Sequence, residues 1–233
     1  MTSQQQPAPR PQHLIAVTGN SPGVGKSTLC RSLVGWLRGS GATVEHFEEA
    51  DILTHPAFRP VADEFGAGAH SVRPQTLVSA TAAYVTGTRT AGTDYLVTDA
   101  LLPFIPSLVA WGHDEPAIAR VLQDLATAVQ PTRITVLHLQ DDPTTALRRA
   151  IDREGPAWED WYIARLAGSP GTRSVHDLAS AAAHLRDEST LTHRLLAATP
   201  WTVIPIDVTT RDSAATARHA RQRLTTALNL TAP

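Results

Sequence analysis

Residues 18–28 of this 233-residue chain read TGNSPGVGKST. They continue HLIAVT at 13–18, an apolar run that reads as a buried strand. They open onto 26–38, where Leu29, Leu33 and Leu37 recur every four residues, as on one face of a helix. Strand, glycine-rich turn and helix in that order form an anion cradle. Glycines let backbone N–H groups converge without obstruction from Cβ, and the helix start adds a partial positive charge. Asn20, Ser21, Gly23, Val24, Gly25, Lys26, Ser27 and Thr28 are the residues expected to line the anion. Lys26 is placed to reach the β- and γ-phosphates of a nucleotide. The Ser27 hydroxyl is placed to hold Mg²⁺, a hard ion that prefers oxygen. One position departs from the G-x4-G-K-[ST] spacing: Asn20 stands where the first glycine would fall, and Gly19 sits one residue early. Asn is the non-glycine residue best suited to a left-handed backbone, so the loop is expected to survive the exchange.

Outward from this loop, short apolar runs alternate with helical patterns. Strands are expected at 43–47, 95–98, 134–139 and 201–206, in addition to 13–18. Helices are expected at 73–88, 116–129, 144–153, 158–166, 175–198 and 214–228, in addition to 26–38. Alternation of this kind predicts an α/β fold, a parallel sheet of about five strands covered on both faces. The stretches 66–73 and 168–173 read as loops. The polar, proline-rich residues 1–12 read as a disordered tail, and 13–233 as a single domain.

Composition removes other chemistries. Of the 20 basic residues 19 are arginine, and the one lysine is Lys26, so a Schiff-base enzyme would have to use that residue. A net charge of −2 makes no electrostatic case for nucleic acid as a partner. The single Cys30 excludes an internal disulfide and fits a cytoplasmic setting. The ten histidines show no metal-ligand spacing. The N-terminus lacks the charged start and apolar run of a signal peptide. The longest mostly apolar run, 100–111, is too short for a membrane and holds Pro103 and Pro106. It reads as a pocket wall or as a contact between two copies in a homodimer.

The segment LHLQDDPTTALRRAIDREG at 137–155 resembles the strand and lid of thymidylate kinases and deoxynucleoside kinases. The matching residues are Asp142, Pro143, Leu147, Arg149 and Arg153. WTVIPID at 201–207, followed by a terminal helix, is similar to the last strand and helix of the same kinases. The resemblance covers scattered segments over about half the chain. It implies the three-layer P-loop NTPase fold with a helical lid at about 144–173, and ATP with Mg²⁺ as the bound nucleotide. Arg149 and Arg153 lie four apart on one helical face, where two guanidinium groups would clamp the transferring phosphoryl group. Arg148 faces another direction. The competing reading is a solvated helix whose arginines pair with Asp152 and Glu154.

Transfer to a hydroxyl also needs a carboxylate for the acceptor and one for the metal shell. FEEAD at 47–51 offers Glu48, Glu49 and Asp51, of which Glu49 is favoured, with helix-start acids as the competing reading. Asp99 ends the strand at 95–98, the usual place for a carboxylate that holds Mg²⁺ with Ser27. The arginine with which the resembled kinases grip a nucleotide acceptor is absent after both strands, which leaves only Arg59 and Arg73 to compensate. Phe47, Phe58, Phe65, Tyr84, Phe104 and Trp111 are candidates for an acceptor pocket or for ordinary core. The expected activity is an ATP-dependent kinase of a nucleoside-like or other small metabolite, with Lys26, Glu49, Asp99, Arg149 and Arg153 as its catalytic residues. The alternative is a nucleotide-dependent switch or assembly ATPase acting on a protein partner.

Overall fold

The computed structural model describes residues 12–69, 71–209 and 212–229. Five strands, β1 (His13–Thr18), β2 (Val44–Phe47), β3 (Tyr95–Thr98), β4 (Arg133–Gln140) and β5 (Thr202–Asp207), form one sheet in the order β2-β3-β1-β4-β5. Every pairing is parallel. Ten α-helices are present among the described residues: α1 (Lys26–Gly39), α2 (Asp51–Thr54), α3 (Arg59–Glu64), α4 (Pro74–Thr90), α5 (Ile105–Ala110), α6 (Glu115–Ala128), α7 (Pro143–Glu154), α8 (Pro156–Ala167), α9 (Leu178–Ala197) and α10 (Ser213–Leu228). None of them is long and apolar enough to cross a membrane. The strands and long helices fall where the apolar periodicity predicts them.

The central strand explains the layering. From Leu14 to Val17, β1 is fully buried, as a strand covered on both faces must be. Leu14 and Ala16 point into one core with Leu77 and Tyr84 of α4, Leu122 and Leu125 of α6, and Leu195 and Leu196 of α9. Ile15 and Val17 point into the other, with Leu29, Leu33 and Leu37 of α1 and Leu224 of α10. The period-2 alternation of one strand thus feeds two separate cores. A third, smaller cluster lies outside the sheet: Leu147 of α7, Tyr162 of α8, and Ala181 and Leu185 of α9 surround Val175.

Three helices, one turn and one boundary differ from expectation. The helices α2, α3 and α5 have no counterpart in the sequence reading. Each is six residues or fewer, and Pro60 and Pro106 look like breakers there although they sit in first turns, where a missing N–H costs nothing, while Pro56 opens a short 3-10 turn between α2 and α3. Residues 65–69, expected partly as loop, wind as a single π-helical turn. Gln12, assigned to the tail, is buried and bonds Thr88 and Thr132. The rest of that tail lies outside the described residues. Much of the apolar run 100–111 is spent on the chain's own core: Leu101, Leu102, Ile105 and Leu108 are buried in it.

Parallel strands place all their carboxyl ends along one edge of the sheet. The connections leave β1 toward β2 and β3 on one side and reach β4 and β5 on the other. A crevice opens outside the carboxyl end of such a strand, and the glycine-rich turn follows β1 there.

Candidate functional site

Two glycines give the turn its shape. Gly23 and Gly25 have φ of +77° and +98°, the left-handed region that disfavours a side chain. Gly25 is the N-cap of α1. No side chain caps that helix and no acid stands in its first turn, so its positive end is left for another partner. At Gly23 a Cβ would collide with the Ala146 carbonyl and crowd Ala150, so α7 lies directly against the loop. Val24 is buried in the core under α1 and anchors the loop from below.

Lys26 Nζ donates to the carbonyls of Gly19 at 3.2 Å and Ser21 at 3.5 Å. Burial lowers its pKa, and the carboxylates of Asp99, Glu49 and Glu188 act in the opposite sense. Ser27 Oγ donates to Asp99 Oδ2 at 2.5 Å, while Asp99 Oδ1 is buried with no hydrogen-bond partner. The two residues read from the sequence as Mg²⁺ ligands therefore meet. Their oxygens suit that ion, and the orphaned Oδ1 is an acceptor in need of a partner. No cluster of three His, Cys, Asp or Glu able to hold a metal occurs among the described residues. An ion at this pair would take its remaining ligands from phosphate and water, which is the habit of Mg²⁺.

Asn20 behaves differently from expectation. Its backbone is not left-handed, since Phe104 and Asn229 are the non-glycine residues with positive φ among those described. Its place is held by its side chain: Nδ2 donates to Glu188 Oε1 at 2.7 Å and to Thr192 Oγ1 at 3.0 Å, both on α9.

On the acceptor side, the three acids after β2 separate. Glu49 is exposed, and its charge favours the ammonium of Lys26. Glu48 lies 3.6 Å from His46, and Asp51 Oδ2 accepts from the Glu48 N–H at 2.7 Å. Glu48 and Asp51 face a groove of about 500 Å³ with Arg31, Arg38 and His46 on the outer side of α1. Arg73, one of the two arginines left to compensate, is engaged by Glu64. Glu64 Oε1 accepts from its Nε at 2.9 Å and its Nη2 at 2.5 Å, and Oε2 accepts from its backbone N–H at 2.9 Å. These bonds hold the Glu64 carboxyl down at about 2. Arg59 is exposed at the start of α3. Of the candidate aromatics, Phe47, Phe58, Tyr84 and Phe104 are core, Trp111 is half-buried against it and Phe65 is exposed.

In the region expected as a lid, Asp142 caps α7 by accepting from the Thr145 N–H at 2.9 Å, and Pro143 follows at the first helical position. At about 100° per residue, Arg153 shares the sector of Ala146 and Ala150, which touch the loop, Arg149 flanks it, and Arg148 points away. Neither expected clamp is free. Arg149 pairs with Asp141 at 2.6 Å and Arg153 with Glu154 at 2.7 Å. The Arg153 pairing is the one the solvated-helix reading anticipated.

Beside Thr28, a groove of about 300 Å³ runs between α1 and α10, lined by Ser32, Ser213, Ala217, Arg218 and Arg221. Arg221 donates to Ser32 Oγ at 2.7 Å, and its Nε is buried without a partner. The sequence reading missed Glu188, Thr192 and Arg221. A signal existed for the first two: on α9 they share a buried face with Leu185 and Leu195, polar residues within an apolar stripe.

No protein-family model matches the chain, and none of the curated proteins matches it.

Proposed function

We propose that the chain is an ATP-dependent small-molecule kinase built on a P-loop fold. The observation that carries this reading is the assembly at the carboxyl end of β1. The chain's one lysine lies in a glycine loop at an uncapped helix start, beside the Ser27–Asp99 oxygen pair. Lys26 and the loop N–H groups would bind the phosphates. Mg²⁺, where bound at Ser27 and Asp99, supplies charge neutralisation for the transfer. The nucleoside half of ATP would lie along the groove from Thr28 to Arg221. Glu49 would orient the acceptor hydroxyl and take its proton. The acceptor oxygen bonds to the γ-phosphorus, the bond to the β–γ bridging oxygen breaks, and ADP leaves.

The acceptor we assign is an uncharged or cationic alcohol rather than a nucleoside monophosphate. The carboxylates of Asp99, Glu49 and Glu188 already surround the charge of Lys26, and Arg73 is engaged by Glu64. The buried thiol of Cys30 fits a reducing compartment, and we assign the reaction to the cytoplasm. A ³¹P NMR or mass-shift screen of MgATP against pooled nucleosides, monophosphates and amino alcohols tests the reading. Phosphorylation of a hydroxyl compound supports it, and exclusive phosphorylation of monophosphates removes the acceptor assignment. The pairing of Arg149 and Arg153 with their own neighbours favours a second reading, a switch ATPase that needs no arginine clamp. Hydrolysis without any acceptor, rising only with a protein partner, would select it.

A further inference from the structure

Asn20 and Glu188 are 168 positions apart and meet at 2.7 Å. The carboxylate only accepts, so the Asn20 amide must turn its nitrogen toward it. The second proton of that nitrogen goes to Thr192 Oγ1 at 3.0 Å. The Glu188 side chain is only 4% exposed, and its other oxygen lies 3.6 Å from Nε2 of His184, one helical turn earlier. A carboxylate at that depth loses its hydration and is tolerated only when its hydrogen bonds offset the loss. The same helix reaches the loop by a second route. Arg186 donates to Thr144 Oγ1 at 3.0 Å at the start of α7, and α7 packs Ala146 and Ala150 against Gly23. The loop is therefore held at two points by α9, directly at Asn20 and indirectly, through α7, at Gly23.

We propose that Glu188 is a positioning residue of the phosphate loop, acting through Asn20 to fix the turn that precedes Lys26. The functional half of this inference rests on the nucleotide-binding reading, and the structural half does not.

The test uses the full chain with N20G, E188A, E188Q and the N20G/E188A double variant. Amide hydrogen exchange across residues 19–25 is measured without nucleotide, and MgATP binding by calorimetry. N20G and E188A should each speed exchange of the loop amides about tenfold or more, the usual scale for losing a hydrogen bond to a charged group. The double variant should add nothing further. E188Q keeps an acceptor for Asn20 and should restore protection. MgATP affinity should fall in N20G and E188A by a similar factor. Unchanged loop exchange in N20G, or fully additive single effects, would overturn the proposal. If E188A does not fold, the comparison of N20G with E188Q still decides, because N20G leaves α9 intact. Protected loop amides in a wild-type chain that binds no MgATP would sink the nucleotide reading alone. Normal MgATP binding by N20G with unchanged exchange would sink the positioning role alone.

Discussion

Lys26 is subject to two opposed influences. Burial makes its charge costly, while Asp99, Glu49 and Glu188 favour the charged form. Its two hydrogen bonds to loop carbonyls hold the ammonium inside the turn it would serve. Lys26→Ala should reduce ATP-dependent phosphoryl transfer by on the order of 100-fold or more, measured as kcat/KM with any acceptor found. Full retention would remove the kinase assignment. Asp99→Asn should raise the Mg²⁺ concentration needed for half-maximal activity by roughly tenfold, because the oxygen pair with Ser27 loses its charge. An unchanged Mg²⁺ titration would show that Asp99 does not serve the ion. At this scale the loop was legible because its chemistry is local: glycine spacing, one lysine and a hydroxyl lie within nine residues. The partner of Asn20 was not, since nothing near it in the chain announces a carboxylate on α9.

Among the elements, α7 has the most direct bearing on the loop. Its Ala146 and Ala150 occupy the space a side chain at position 23 would need. Gly23→Ala therefore meets both a left-handed backbone and a collision. It should cost about 2 kcal/mol or more, lowering the melting temperature by roughly 5 °C. Nucleotide affinity should fall as α7 is displaced. A melting temperature within a degree of wild type would show that α7 does not press on the loop. The long helices were legible from the fourfold spacing of leucines such as Leu29, Leu33 and Leu37, all of which are buried. Helices α2, α3 and α5 were not, because too few residues repeat to reveal a period. Spacing puts Arg149 and Arg153 on one side of α7, but their ion pairs with Asp141 and Glu154 depend on rotamers that spacing does not encode.

For the molecule as a whole, the sheet carries a pH liability. His138 on β4 is buried with both ring nitrogens unpartnered, and burial pushes its pKa down to about 4. The unfolded chain protonates this histidine near its ordinary value of 6.5. Its neutral form is thus favoured by the fold, and its contribution is fully present above pH 6.5. As pH falls from there to about 4 the unfolded state binds the proton first, and about 3 kcal/mol of stability is lost from this group. His13, also lowered to about 4, acts in the same direction with a more exposed ring. Urea unfolding at pH 7 and pH 5 should show the drop, and His138→Leu should reduce it by about 1–2 kcal/mol. Equal losses in both proteins would remove His138 as the cause. Strand order and the two-sided core followed from apolar runs only as a class. Which strand lies beside which is set by crossovers tens of residues long, and these leave no local mark.

The two ends of α9 pack in different apolar clusters. Its first half shares the satellite cluster with α7 and α8, and its last turns are sealed into the sheet's core by Leu195 and Leu196. A rigid rod anchored in this way acts as a lever. A displacement of α7 and α8 relative to the sheet would bend or tilt the rod near Glu188, the polar position between its two apolar anchorages. Glu188 would then tie the position of α7 and α8 to the turn that precedes Lys26.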